Sequence, residues 1–167
     1  MRYAPAALAL SLVVAVTASA GQGAAAQPDP RAAALVAEGR SQLASGQPAA
    51  AVDSFEAALA IDPGYTAVYL ELGEAARAQG LQGKAIHYYR EALDRDSKNL
   101  AALSGEGEAM LEKGAVEKAK RNLAQIQSLC GDNCTEAQHL AAAIQNHPRA
   151  PVLTAEAAVP EPVVSKN

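Results

Sequence analysis

Three glycine and alanine registers recur at one spacing. Gly39, Gly73 and Gly107 are 34 residues apart, as are Gly46, Gly80 and Gly114, and Ala51, Ala85 and Ala119. A fixed period of this length is the mark of a repeat array, in which each unit is one supersecondary element. Other positions keep the same grid: Leu35, Tyr69 and Leu103; Phe55, Tyr89 and Leu123; Ala58, Ala92 and Ile126. The units run over roughly 32–65, 66–99 and 100–133.

Each unit holds two stretches long enough for helices, divided by a glycine: Ser45-Gly46-Gln47, Gln79-Gly80-Leu81 and Lys113-Gly114-Ala115. A glycine there can take the left-handed conformation that ends a helix. Pro48 then opens the next helix, where its missing N–H costs nothing. Asp62-Pro63-Gly64 breaks the chain between the first two units, and Ser97 takes the place of that proline in the second. Gly39, Gly73 and Gly107 fall inside helices, where glycine costs up to about 1 kcal/mol relative to alanine. Their recurrence predicts that a neighbouring helix needs the space. Composition agrees: half of the residues are apolar but only 4% are aromatic, and alanine, the best helix former, supplies much of the apolar count. Period-two runs of β-branched residues are missing from the middle of the chain.

This pattern resembles the tetratricopeptide repeat family. The residues that carry the resemblance are the early glycine of each first helix, the alanine and aromatic of the second helix, and the closing proline. Ala51-Val52-Asp53-Ser54-Phe55-Glu56-Ala57-Ala58-Leu59-Ala60-Ile61-Asp62-Pro63 is close to the family's second helix, and residues 84–93 match again. The third unit is weaker, with Leu123 and Ile126 in place of an aromatic and an alanine. The resemblance implies an all-α solenoid of about three helix hairpins over residues 32–147. A stack of hairpins needs a polar cap at its end, and Thr135–His147 fits one. Thr135 is its expected N-cap, and Leu140, Ala143 and Ile144 form its apolar face.

The resemblance also implies a concave face lined by the first helix of each unit. The matching inward positions are Ala33, Val36, Arg40, Leu43 and Ala44; Ala67, Leu70, Glu74, Arg77 and Ala78; and Ala101, Ser104, Glu108, Leu111 and Glu112. Such a groove suits an extended or helical peptide. Some family members hold a C-terminal carboxylate there through Lys and Asn. The corresponding positions here are Val36, Arg40, Glu71, Ala101 and Gly105, so that mode is not expected.

Residues 1–26 have the layout of a secretory signal peptide: Arg2, an uncharged apolar run from Ala6 to Val16, then small residues. The run is short for a membrane span, which needs about 20 residues; an uncleaved anchor is the alternative. Cleavage after Ala20 or Ala26 fits, the second better because Gln27-Pro28-Asp29-Pro30 begins a polar mature end. No cysteine stands there to carry a lipid, and nothing after Val16 resembles another span. The expected location is the periplasm, or outside the cell. Residues 27–31 read as a disordered lead and 148–167, rich in Pro and Ala, as a disordered tail.

Cys130 and Cys134 are the only cysteines. In an oxidising compartment such a pair usually forms a disulfide, here clamping the third unit to the capping helix. A thiol-redox pair is the rival, without the two-residue spacing or βαβ setting of that chemistry. His87, His139 and His147 are scattered, at no ligand or triad spacing, and no cofactor or metal is expected. Lys118, Lys120 and Arg121 read as a solvated face, with Glu117 placed to pair with Arg121. A net charge of −4 argues against nucleic acid and anionic lipid as partners. The expectation is a non-catalytic adaptor, monomeric or weakly self-associating, that binds a protein or peptide partner of unknown identity; a self-stacking structural protein is the alternative.

Overall fold

The computed structural model describes residues 27–148; the expected signal peptide at 1–26 and nearly all of the expected tail lie outside them. Seven helices follow one another with no strand among the described residues: α1 (Pro30–Ala44), α2 (Pro48–Ile61), α3 (Ala67–Ala78), α4 (Gln82–Arg95), α5 (Leu100–Glu112), α6 (Val116–Cys130) and α7 (Thr135–Asn146). They pack as three hairpins, α1–α2, α3–α4 and α5–α6, each resting on the next, with α7 against both helices of the third. The all-α solenoid read from the sequence is the fold observed.

The turns inside the hairpins repeat one hydrogen-bond pattern. Gly46, Gly80 and Gly114 have φ of 74°, 72° and 80°. In the first, Gly46 N–H donates to Leu43 O at 3.0 Å and Gln47 N–H to Gln42 O at 2.9 Å. Leu81 N–H to Ala76 O (2.9 Å) and Ala115 N–H to Met110 O (2.7 Å) are the equivalent closures. This is the Schellman ending, and it satisfies carbonyls that a helix terminus would otherwise leave without donors.

Between the first two units the stop is set by aspartate more than by proline. Asp62 Oδ1 accepts from Gly64 N–H at 3.1 Å, and Asp96 Oδ1 accepts from Lys98 N–H at 3.1 Å, although Ser97 has replaced the proline. Such Asx turns divert the backbone from a helix. Two terminal details differ from expectation. First, α1 begins at Pro30, inside the expected lead. Asp29 caps it by accepting from Arg31 N–H at 2.8 Å, and Asp29 N–H in turn donates to Asp62 Oδ2 at 3.0 Å, which ties the start of the array to the first inter-unit turn. Second, Thr135 is not the N-cap of α7. Cys134 holds that position without a side-chain cap bond, and its sulphur is bonded to Cys130, with Cα atoms 6.0 Å apart.

The first two hairpins are each held by an aromatic laid across a helical glycine. A Cβ on Gly39 would come within 2.4 Å of Phe55, and one on Gly73 within 2.6 Å of Tyr89. The space these glycines leave is occupied by the ring of the second helix, which is why they recur. Phe55 and Tyr89 are fully buried, as are Ala51, Ala85 and Ala119 and the row Ala58, Ala92 and Ile126. In the third unit the occupant changes: Gly107 faces Leu140 of α7, whose Cδ2 would lie 2.7 Å from a Cβ there. Buried Glu106 links three helices, accepting from Arg90 Nε of α4 at 2.7 Å and Asn122 Nδ2 of α6 at 2.9 Å.

Candidate peptide groove

Helices α3, α5 and α7, with Tyr89 of α4, enclose an open groove of about 650 Å³. Its walls carry Leu70, Glu71, Glu74, Arg77 and Ala78 from α3; Ala101, Ser104, Gly105, Glu108 and Glu112 from α5; Thr135, Glu136 and His139 from α7; and Tyr89 from α4. Of the predicted face, Leu70, Glu74, Arg77, Ser104, Glu108 and Glu112 are thus brought together, along with Ala78 and Ala101.

Others are not in the groove. Val36 (2% exposed) and Leu111 (4%) are core residues, each packed in a hydrophobic cluster. The helical face turned inward is narrower than the period alone implies, because the positions flanking it are taken up in the core clusters between helices. Leu43 is likewise packed on the first cluster. Arg40 is exposed and reaches the edge of the groove through Glu71, its Nε donating to Glu71 Oε1 at 2.9 Å.

Arg77 is the electrostatic centre. Its Nη1 lies 2.7 Å from Glu108 Oε2, and its Nε donates to Glu112 Oε1 at 3.0 Å. Burial works against its charge, but the Glu112 hydrogen bond and Glu108 outweigh it and hold the guanidinium above the usual arginine range. Glu108 also accepts from Ser104 Oγ at 3.3 Å and contacts His139 Nδ1 at 2.8 Å, so α3, α5 and α7 are joined across the floor.

Glu74 and Tyr89, side by side on the groove floor's α3–α4 side, and Glu136 on α7 lack such partners among the described residues. Glu74, open to solvent, makes no ion pair among the described residues. The groove walls displace its water and Glu71 adds like charge; together these raise its carboxyl above the ordinary range, against the opposing pull of Arg77 and Arg40. Tyr89 is 2% exposed, and its hydroxyl finds no hydrogen-bond partner among the described residues. Burial pushes its phenol up to about 12, with Arg77 drawing it partly back. The ring end is boxed by Gly73 of its own unit and Gly105 of the next, where a Cβ would come within 2.4 Å.

The contribution of α7 was missed in the sequence, though a signal existed. Continuing the 34-residue grid places Thr135 on the position of Ala67 and Ala101, so α7 is stacked like the first helix of a fourth unit. Elsewhere, His87 is exposed on α4, and Lys118, Lys120 and Arg121 are exposed on α6. The expected Glu117–Arg121 pair is replaced by Glu117 with Lys120, at 2.7 Å.

A tetratricopeptide repeat family model matches residues 7–65, 36–99 and 70–120, well over half of the chain. The chain belongs to the tetratricopeptide repeat family. The first match begins inside the segment read as a signal peptide. No curated protein sequence matches the chain significantly. Among solved structures, the repeat domain of Sgt2 from Aspergillus fumigatus is similar at 23% identity and a TM-score of 0.64, covering 71% of this chain and 80% of that one. The first such domain of Spaghetti (RPAP3), bound to an HSP90 peptide, is similar at 18% identity and a TM-score of 0.63, over 71% and 97%. The Yersinia enterocolitica type III secretion chaperone SycD, in complex with a peptide of the translocator YopD, is similar at 26% identity and a TM-score of 0.59, over 68% and 86%. No helix among the described residues is long and apolar enough to cross a membrane.

Proposed function

We propose that this tetratricopeptide repeat protein is an exported, non-catalytic scaffold that holds a protein or peptide partner in its concave groove, in the service of assembling a complex of the cell envelope. The groove running across α3, α5 and α7 carries this reading: it is open, preformed, and lined by side chains from three helices that a bound segment would touch at once. SycD, similar in fold and repeat, supports it by being found in complex with a peptide of the translocator YopD. The carboxylates Glu108 and Glu112 are engaged by Arg77, and the His139 ring by Glu108, an arrangement suited to a rigid surface.

A photo-crosslinking side chain at Ala101, in the groove, tests this against one at Gln125, exposed on α6. In the native host, a discrete adduct is expected from Ala101 alone. An adduct with a second copy of the chain would favour the self-stacking alternative, and identical adducts from both positions would remove the groove from the account. Export is read separately. Osmotic-shock release of a form beginning at Gln27 or Gly21 is expected, and an intact Met1 form retained in the cytoplasm would refute it.

A further inference from the structure

The chemistry of the groove's guest can be read from what the groove lacks. Its carboxylates outnumber its cations: Glu71, Glu74, Glu108, Glu112 and Glu136 stand against Arg77 and the His139 ring, which Glu108 already holds, with Arg40 at the rim. Arg77 is already engaged by Glu108 and Glu112, and Arg40 by Glu71. An anionic guest would therefore meet Glu74 with no free cation to receive it. An apolar guest would strip more water from Glu74 while like charges stay beside it, a costly arrangement. Tyr89 supplies the second observation. It is a buried phenol, lining the same groove, whose oxygen lies beside the Arg77 guanidinium but makes no hydrogen bond of good geometry with it or with any other described residue, because Arg77 is turned to Glu108 and Glu112. Buried polar groups without partners are rare, and each calls for an explanation.

We infer that the groove recognises a basic segment of its partner, with a lysine or arginine side chain seated on Glu74 and hydrogen-bonded to the Tyr89 hydroxyl oxygen. This rests on the groove being the partner site, as proposed above. A lysine ammonium offers three donors and an arginine guanidinium five, which the Glu74 carboxylate and the Tyr89 oxygen can accept. Charge-assisted hydrogen bonds of this kind are shorter and about twice as strong as neutral ones. The family resemblance implied a carboxylate-holding groove in some members; the residues present here give the opposite polarity. Gly105 belongs to the design: only a residue without a side chain leaves the end of the Tyr89 ring its place between α3 and α5.

The test uses the full chain and fluorescein-labelled octapeptide pools, blocked at both ends, each with one residue type fixed at one position. Binding is read by fluorescence polarisation. Pools fixed as Lys or Arg are expected to bind about tenfold more tightly than pools fixed as Asp or Glu. Glu74→Gln should reduce that preference about tenfold and Tyr89→Phe, which keeps the ring, about threefold. Glu117→Gln, remote on α6, should leave it unchanged. Peptides that bind without favouring basic residues, or a preference that survives Glu74→Gln, would overturn the socket while leaving the groove as a peptide site. An equal loss in Glu117→Gln would reduce the effect to net charge and also overturn it. Failure of every pool to bind would remove the groove reading itself.

Discussion

Gly73 and Gly83 make opposite predictions for the same substitution. Both sit in helices, Gly73 in α3 and Gly83 in α4, and propensity alone makes Gly→Ala favourable by up to about 1 kcal/mol. At Gly83 a new Cβ meets nothing within 4 Å. Gly83→Ala should therefore stabilise, by about 0.5 kcal/mol since it lies in the first turn. At Gly73 the Cβ would stand 2.6 Å from Cε1 and Cζ of Tyr89, well inside contact distance. The ring cannot retreat, because Gly105 closes the other side at comparable range. Overpacking of a tight core costs about 1–3 kcal/mol, and the propensity gain offsets only part. Gly73→Ala should lose about 1–2 kcal/mol net, which lowers Tm by about 4–8 °C for a domain of this size. Urea unfolding followed by circular dichroism measures both, with an unchanged m-value confirming a two-state comparison. Adding Tyr89→Leu to Gly73→Ala should recover at least about 1 kcal/mol relative to the sum of the single effects, since the clash and its partner are removed together. If Gly73→Ala matches Gly83→Ala in sign, or if the double variant is simply additive, the ring-on-glycine account of the repeat is wrong.

Reducing the Cys130–Cys134 bond, or replacing both cysteines with serine, should cost about 2 kcal/mol in the chain-entropy view of a loop this short. The loss should appear first as faster amide exchange in α7, and no thiol should titrate in the native protein. Glu74 has a carboxyl raised in the folded state. By linkage the folded protein then binds more protons than the unfolded one just above the ordinary value of 4.5, so stability falls as pH rises through the raised value. Glu74→Gln should thus be more stable than the parent at pH 7, with the difference fading below pH 4.5; a difference that grows on acidification would contradict this. Arg77→Met should lose about 1–2 kcal/mol, as it removes the one cation that Glu108 and Glu112 share in a partly buried site, leaving Glu108 only the His139 ring. Equal stability at pH 7, in thermal scans at low salt, would show that those pairs are solvated surface contacts.

The hairpins were legible because their determinants are local and repeated. A left-handed glycine at each turn and a buried alanine on each second helix leave a mark at every unit. The groove was only half legible. Period 34 identifies which positions are equivalent, but not the angular width of the inward face, and so Val36 and Leu111 looked as available as Leu70 and Glu74. That width depends on how closely the second helix approaches, which the glycine–aromatic contact sets through three-dimensional packing. The engagement of Arg77 by two glutamates, one helical turn apart on the neighbouring unit, is visible only once α3 and α5 are side by side. The same holds for Tyr89, which reads as core from its sequence and yet brings a hydroxyl to the groove floor.

The third unit explains why the array ends where it does. It departs from the other two at three places, and each departure hands a structural task to α7. Where Phe55 and Tyr89 cover the glycine of their own unit, Leu123 is only half-buried and Leu140 of α7 covers Gly107 instead. Where Asp62 and Asp96 turn the chain out of the second helix, the equivalent position is Cys130, and its bond reaches Cys134, the N-cap of α7, four residues later. Where the first two units carry alanine at the third buried row, Ile126 is larger and lies in one hydrophobic cluster with Ala137 and Leu140. A fourth unit stacked on α6 and α7 would find a mostly polar outer surface, with Gln138, Gln145 and Asn146 exposed. The cap is therefore built from altered repeat positions and is not an appendage. Because it also carries Glu136 and His139 into the groove, loosening it should change partner binding as well as stability, which couples the disulfide to the site.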